Sequence, residues 1–269
     1  MSPRVSIVIP AYNEATRLVG SIRKLLEFLN QHRPGAELIV VDDGSTDNTA
    51  DVAEHNLSDT GSVIAKVIRN SPNRGKGHAV RVGMLAATAP VALFTDADLS
   101  TPIDEAPKLT DPIEAGACDV AFGSRALDRT LIGVHQPWQR EQGGRVFNLI
   151  VRVATGLPFW DTQCGFKAFR LDVCRPLIEA AVIDRFAFDV ELLYLAHVSG
   201  LRLSETPVRW DNDPESKISL ASDSVRMVRQ VLGIRENARR GEYNEAINRA
   251  RVIAKSNGMM RQRTVAGEG

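Results

Sequence analysis

The sequence lacks any apolar run that approaches the roughly 20 residues of a membrane-spanning helix. Its first residues, Met1-Ser2-Pro3-Arg4, do not form a signal-peptide pattern. Cysteine is also scarce, because the chain has three, an odd number without the spacing of a metal site, as is typical of reduced cytoplasmic thiols. We therefore expect a cytoplasmic protein that does not cross a membrane, although it could lie at the inner face of one.

An excess of charge of either sign is missing as well. Lysine and arginine total 33 residues, aspartate and glutamate total 33, and the formal net charge is +0. Such a chain has no overall field that would recruit nucleic acid, so we expect no nucleic-acid partner. No Gly-x-Gly-x-x-Gly turn follows the first predicted strand, which argues against a dehydrogenase. Any basic binding site must be local.

The first half of the chain alternates short β-branched runs with segments of helical periodicity. The runs at 5–10, 37–41, 62–68 and 90–94 predict buried strands, and the alternation predicts an α/β fold with a parallel sheet. The second half is less regular, with strands predicted at 119–125, 165–169 and 202–210 and an amphipathic helix at 222–239. We expect one domain over residues 1–240 and, because hydrophobicity falls beyond it, a flexible tail over 241–269.

Each of the first four predicted strands ends in a polar loop. These loops cover residues 10–14, 42–47, 69–77 and 96–101. Ligands of parallel α/β sheets bind at the carboxyl ends of the strands, so the loops are expected to meet at one crevice. The third loop is rich in glycine and basic residues but is not a Walker loop. A nucleotide diphosphate would fit the crevice, and a solvated basic turn is the alternative for the third loop.

The Asp96-Ala97-Asp98 segment follows the fourth predicted strand. In extended backbone, residues two apart point to the same side, so both carboxylates can face one point. Mg²⁺ or Mn²⁺ is commonly held by one or two carboxylates together with substrate phosphates. The spacing alone does not decide between such a metal site at Asp96 and Asp98 and a solvated turn.

Six short motifs, each rich in polar residues or glycine, follow one another along the chain. They are Ile9-Pro10-Ala11-Tyr12-Asn13-Glu14, Val41-Asp42-Asp43-Gly44-Ser45-Thr46-Asp47, Asn73-Arg74-Gly75-Lys76-Gly77, Asp96-Ala97-Asp98, Gly123-Ser124-Arg125 and Asp161-Thr162-Gln163-Cys164-Gly165-Phe166-Lys167. With this ordered set, the chain resembles the family 2 glycosyltransferases over about residues 5–235, and within them the dolichyl/polyprenyl-phosphate sugar synthases, in particular the dolichyl-phosphate β-glucosyltransferase branch. The resemblance implies a GT-A nucleotide-sugar fold, which is Rossmann-like, with a mostly parallel central sheet and helices on both faces.

The resemblance also implies how the polar loops bind a nucleotide-sugar donor. The implied donor-binding residues are Pro10, Ala11, Glu14, Asp43, Arg74, Lys76, Asp96, Ala97 and Asp98. Among them, Asp43 would accept a hydrogen bond from a ring N–H of the base, for which uracil and guanine both qualify. Asp98 would bind the Mg²⁺ or Mn²⁺ ion, and Asp96 would either share this ion or bind the ribose. The alternative for Glu14 is an acid that stabilises a helix N-terminus.

A lipid-phosphate acceptor would need fixed cations. The candidates are Arg125, Arg140 and the Ser216-Lys217 pair. Asp161 and Asp189 are candidates for a base or for a ligand of a sugar hydroxyl group. The alternatives are solvated surface arginines and, for Asp189 and Glu191, a helix that begins at the surface.

The expected activity is inverting, metal-dependent transfer of a hexose to polyprenyl or dolichyl phosphate in a single displacement. UDP-glucose is the preferred donor on resemblance alone, and GDP-mannose is the alternative. Two further alternatives are a transferase with a soluble acceptor and a nucleotide-sugar binding protein without catalytic activity. The apolar segments 131–138 and 157–160 and the helix from 222 could contact a bilayer peripherally, or they could be core faces. No oligomeric state is predicted.

Overall fold

The computed structural model describes residues 3–134, 137–212 and 220–266. Its strands are β1 Val5–Ala11, β2 Glu37–Asp42, β3 Ile64–Arg69, β4 Val91–Thr95, β5 Val120–Ser124, β6 Ile132–Val134, β7 Phe166–Arg170, β8 Leu203–Pro207 and β9 Trp210–Asp211. Its α-helices are α1 Ala15–His32, α2 Thr49–Asn56, α3 Lys76–Ala86, α4 Ala106–Glu114, α5 Trp138–Thr155, α6 Leu171–Ala180, α7 Phe188–Val198, α8 Leu220–Arg239 and α9 Asn244–Ala266.

Seven strands form the central sheet, in the order β3-β2-β1-β4-β7-β5-β8. All neighbouring pairs are parallel except those of β7, which runs antiparallel to both β4 and β5. The mostly parallel α/β sheet predicted from the sequence is therefore confirmed. Strands β6 and β9 form a separate parallel pair.

Hydrophobic clusters cover both faces of the sheet. On one face, Val8 and Phe94 pack with side chains of α3, α6 and α7. On the other face, Ile7 and Leu93 pack with α1 and α4. Adjacent residues of one strand are thus buried on opposite faces, which is why these strands read as continuous apolar runs.

The C-terminal region differs from the expected flexible tail. Residues 244–266 form α9, which packs against α6. Tyr243, Ala246, Ile247 and Ala250 are buried in the same cluster as the sheet. Their spacing of three and four residues forms an apolar stripe on one helix face. Because the stripe is narrow and includes two alanines, it adds few large apolar side chains to a segment that is otherwise polar, and the prediction of a flexible tail was wrong for these residues.

None of the helices in the described ranges is long and apolar enough to span a membrane.

The packing of α9 can be tested with two glutamate substitutions in the same helix. Ala250 is fully buried, whereas Val252 is 67% exposed. We expect Ala250→Glu to lower the free energy of unfolding by about 3 kcal/mol, because it buries an unpaired charge. Val252→Glu should change it by less than about 0.5 kcal/mol. Urea denaturation measures both values, and equal effects of the two substitutions would mean that α9 is not packed.

Candidate active site

The loops that follow β1 and β2 are joined by hydrogen bonds at the carboxyl edge of the sheet. The backbone N–H of Asn13 donates to Ser45 Oγ at 2.8 Å, and the N–H of Thr46 donates to Asn13 Oδ1 at 2.8 Å. Pro10 and Ala11 are the last residues of β1. Glu14 follows them, and its carboxylate pairs with Arg17 at 2.9 Å. The structure thus brings the first two predicted donor loops together.

Asp43 attaches the loop after β3 to these two loops. Its side chain is buried, and its Oδ2 atom accepts hydrogen bonds from the backbone N–H groups of Arg74 at 3.1 Å and Gly75 at 2.6 Å. The side-chain amide of Asn73 donates to the same oxygen at 2.9 Å. The other oxygen, Oδ1, has no hydrogen-bond partner among the described residues and lies 3.6 Å from His78 Nδ1. One carboxylate therefore shapes residues 73–78, which comprise the end of this loop and the first residues of α3 and are called the 73–78 loop below. Its second oxygen remains available to another donor.

Lys76 connects the 73–78 loop with the Asp96-Ala97-Asp98 segment. Its ammonium group forms an ion pair with Asp96 Oδ1. Burial alone would lower the pKa of Lys76, but the nearby carboxylates of Asp96, Asp189 and Asp98 together outweigh it, so the pKa is raised and the side chain is cationic. The Oδ1 atom of Asp98 accepts the backbone N–H of Ser100 at 2.8 Å. Gly165 lies so close to Asp96 that a Cβ atom there would overlap with the carboxylate.

The Asp96 and Asp98 carboxylates fit a divalent cation that a ligand also coordinates. Burial raises the pKa of Asp98, and the charge of Asp96 raises it further. A cation would relieve this repulsion. Within the described ranges, no group of three or more His, Cys, Asp or Glu side chains could hold a metal ion. The described residues therefore supply at most two carboxylates to such an ion, and substrate phosphates would have to complete the coordination.

Arg125 and Asp161 form a second polar centre. The guanidinium group of Arg125 donates from Nε and Nη2 to the two oxygens of Asp161, at 2.7 Å and 2.9 Å. Glu205 accepts the backbone N–H groups of Trp160 and Asp161, at 3.0 Å and 2.8 Å, which holds this turn in place. Burial alone would raise the pKa of Asp161, but Arg125 lowers it to about 2. Asp161 is therefore ionised at neutral pH and orients Arg125.

Arg125 also lines a pocket with a volume of about 440 Å³. The other principal side chains of this pocket are Arg129, Arg145, Leu149, Arg152, Trp160 and Trp210. The Trp160 ring lies 4.1 Å from the Arg152 guanidinium carbon, measured to the ring centroid. Arg145 and Arg152 of α5 were not predicted from the sequence, although Arg145, Leu149 and Arg152 are spaced to share a helix face. The pocket combines cationic groups with an apolar wall.

Asp189 is not at the surface, contrary to the alternative weighed for it. It lies in the first turn of α7, is buried, and accepts a hydrogen bond from Lys167 Nζ at 2.7 Å. Burial raises the pKa of Asp189, although the ammonium group of Lys167 opposes this. Glu191 is also buried. Arg140 lies in α5, while Ser216 and Lys217 lie outside the described residues.

The low pKa of Asp161 predicts a pH-dependent contribution to stability. A carboxyl group whose pKa is lower in the folded state stabilises the protein above its unfolded pKa, and this is lost as the pH falls toward 2. Between pH 5 and pH 3 we expect wild type to lose about 1 kcal/mol more stability than Asp161→Asn. Urea titrations at both pH values measure the difference. Asp59→Asn removes an exposed carboxylate and should follow wild type, and an Asp161→Asn profile parallel to wild type would contradict the assignment.

Comparison with known proteins places this geometry in a family. The chain matches the profile described as Glycosyl transferase family 2 over residues 6–177. It is 38% identical over 229 residues to a dolichyl-phosphate beta-glucosyltransferase of Drosophila melanogaster, covering 81% of this chain and 70% of the relative. It is 32% identical over 256 residues to the protein of the same name from Saccharomyces cerevisiae, covering 90% and 77%.

The fold has solved counterparts. A crystal structure of glucosyl-3-phosphoglycerate synthase from Mycobacterium tuberculosis, in complex with Mn²⁺, UDP and glucosyl-3-phosphoglycerate, matches with a TM-score of 0.62. The sequence identity is 19%, and the match covers 86% of this chain and 78% of the other. The predicted GT-A fold is therefore confirmed. The profile match extends over more than half of the chain and includes all the motifs quoted above, so the protein belongs to glycosyltransferase family 2.

Proposed function

We propose that the protein transfers glucose from UDP-glucose to polyprenyl or dolichyl phosphate, with inversion, in one metal-dependent displacement. The names of the relatives support the reaction, and the UDP and Mn²⁺ in the matched crystal structure support the donor and the cation. The observation that carries the proposal is that the 161–165 segment joins two sites. Asp161 orients Arg125 at the arginine-lined pocket, and four residues later Gly165 lies against Asp96.

The donor would bind at the carboxyl edge of β1, β2 and β4. Asp43 has a carboxylate oxygen that can accept a ring N–H of the base. Beside it, Pro10 and Ala11 at the end of β1 and Glu14 just before α1 would form the wall of the donor site. Lys76, with Arg74 on the same loop, would contact the diphosphate. Asp96 and Asp98 would hold Mg²⁺ or Mn²⁺, which when bound neutralises charge on the departing diphosphate.

The acceptor phosphate would bind in the pocket beside Arg125. A guanidinium group that is already oriented by Asp161 loses little freedom when it binds a phosphate. An ionised phosphate is itself the nucleophile, so the reaction requires positioning and charge stabilisation more than a strong base. We assign this positioning to Arg125 and Asp161, with the Asp189–Lys167 pair supporting the 161–165 segment, which carries Asp161. Lys217 is proposed as a further phosphate ligand.

A soluble phosphorylated acceptor is the second candidate. The matched crystal structure contains glucosyl-3-phosphoglycerate, and an arginine-lined pocket suits any phosphate. The apolar wall formed by Leu149, Trp160 and Trp210 favours a lipid instead.

A transfer assay with purified protein tests the proposal. The donors are UDP-glucose and GDP-mannose, the acceptors are a short polyprenyl phosphate and 3-phosphoglycerate, and each pair is measured with Mg²⁺, Mn²⁺ or EDTA. We expect glucosyl polyprenyl phosphate from UDP-glucose only when a divalent cation is present.

Two variants make the assay specific. Asp98→Asn should lower kcat about 100-fold or more because it removes a cation ligand, whereas Asp59→Asn, at an exposed position, should keep wild-type activity. If product forms with 3-phosphoglycerate and not with polyprenyl phosphate, the acceptor is a soluble phosphate compound and not a lipid. Binding of UDP-glucose without any turnover would favour a binding protein.

We also propose that the pocket opens toward a lipid surface on the outer face of α5. This face exposes large apolar side chains, among them Trp138 at 72% and Val153 at 75%, and Val146 and Leu149 are exposed on the same helix. Arg145 and Arg152 lie on the same helix and would pair with anionic headgroups. In the amphipathic helix expected at 222–239, now part of α8, Val231 and Ile234 are buried in the core, whereas Leu232 is exposed. Trp160, in the predicted segment 157–160, is exposed beside the pocket.

Vesicle flotation tests the lipid surface. Val146 and Val153 do not line the pocket, so the double variant Val146→Glu/Val153→Glu should leave transfer to a short, soluble polyprenyl phosphate near wild type. We expect it to lower the fraction bound to anionic vesicles at least threefold, because two apolar contacts become charges. Val252→Glu adds a charge to an exposed site on α9 and is the matched control. Equal binding of all three proteins would contradict the assignment.

A further inference from the structure

The 181–185 segment, between α6 and α7, supports the 73–78 loop. The backbone N–H of His78 donates to the carbonyl oxygen of Asp184 at 3.0 Å. Arg74 donates to the Asp184 carboxylate at 2.7 Å and 3.1 Å, and Arg81 of α3 donates to it at 2.6 Å. A Cβ atom on Gly75 would lie 2.6 Å from the same carbonyl oxygen. These contacts couple the position of the 73–78 loop to that of the 181–185 segment.

Glu191 determines the position of the 181–185 segment. This fully buried carboxylate accepts the backbone N–H of Val182 at 3.1 Å and that of Ile183 at 2.9 Å. A buried carboxylate is costly unless hydrogen bonds satisfy it, so it holds the amides that donate to it firmly.

Tyr243 completes the hydrogen bonds of Glu191 from the far end of the chain. Its hydroxyl group donates to Glu191 Oε1 at 2.7 Å, and the side-chain amide of Asn237 donates to the hydroxyl oxygen at 3.2 Å. Tyr243 is 1% exposed and lies just before α9. Glu191 and Tyr243 both fall outside residues 6–177, which match the family profile.

These contacts form one continuous series from the C-terminal helix to the donor site. It runs from Tyr243 to Glu191, to the 181–185 segment and to the 73–78 loop, whose amides donate to Asp43. We infer that Tyr243 and Glu191 are positioning residues that hold the 73–78 loop in the geometry that binds the diphosphate of the nucleotide sugar. The ligand named in this inference rests on the proposed function.

Hydrogen exchange of the free protein tests the structural part without any ligand. Tyr243→Phe removes only the hydroxyl group, and Glu191→Gln removes the charge while keeping the shape. We expect the amides of the 73–78 loop to exchange about fivefold faster in Tyr243→Phe, and faster still in Glu191→Gln, because a hydrogen bond to a buried charge is lost. Amides of α1, on the other face of the sheet, should exchange at the wild-type rate.

Tyr194→Phe is the matched control. Tyr194 lies on α7, and its hydroxyl group makes no hydrogen bond to the described residues, so this variant should match wild type throughout. Wild-type exchange of the 73–78 loop in Tyr243→Phe would overturn the inference. A uniform increase over the whole protein would overturn it as well, since it would indicate only a loss of global stability.

Binding and kinetics test the functional part. In Tyr243→Phe we expect the Kd for UDP and the KM for the donor to rise about fivefold, while kcat at saturating donor stays within about twofold of wild type. A merely structural role would instead lower kcat with the amount of folded protein and leave KM unchanged, which would overturn the inference. If wild type binds no UDP, the proposed function fails, and the exchange experiment still decides whether Tyr243 holds the loop.

Discussion

Buried carboxylates that accept backbone N–H groups determine the shape of the carboxyl edge of this sheet. Asp43 holds the 73–78 loop and Glu191 holds the 181–185 segment, and both are buried; Glu205, which is half-buried, holds the turn at Trp160. Burying a carboxylate costs several kcal/mol unless charge-assisted hydrogen bonds compensate for the lost hydration. Each of these carboxylates therefore favours the loop arrangement in which the backbone N–H groups point at it, and this holds loops that have no regular structure.

The direction of strand β7 explains why the two halves of the site lie side by side. Strand β7 runs antiparallel between β4 and β5, so the segment that precedes it reaches the edge at which those strands end. That segment carries Asp161, which orients Arg125, and Gly165, whose missing side chain leaves room for the Asp96 carboxylate. A donor diphosphate and an acceptor phosphate would both carry negative charge, and the site offers two cations, Lys76 paired with Asp96 and Arg125 paired with Asp161. The alternation of charges along this edge is the electrostatic basis of the proposed reaction.

Much of the site could be predicted because its residues occur in short motifs at the ends of strands. Asp43, Lys76 and Asp96 were selected from the sequence, and the structure brings them together. Arg145 and Arg152 of α5 and the carboxylate of Glu205 were not predicted. Glu205 lies 45 residues after Trp160 in the chain, and no local sequence pattern predicts the contact between them. The fall in hydrophobicity beyond residue 240 was misleading, because α9 packs through a narrow stripe that includes Tyr243 and two alanines.

Residue patterns along the chain are enough to predict the strands and the chemistry at their ends: continuous apolar runs are typical of strands buried on both faces, and polar motifs after them favour a ligand at one edge. The packing of distant segments determines which carboxylate accepts which amides, that Asp161 is engaged by Arg125, and that Tyr243, just before the C-terminal helix, supports the 73–78 loop through Glu191. The reason is physical. Periodicity and turn preferences are properties of neighbouring residues, whereas the partner of a buried charge is determined by which distant segment the packing brings within about 3 Å of it.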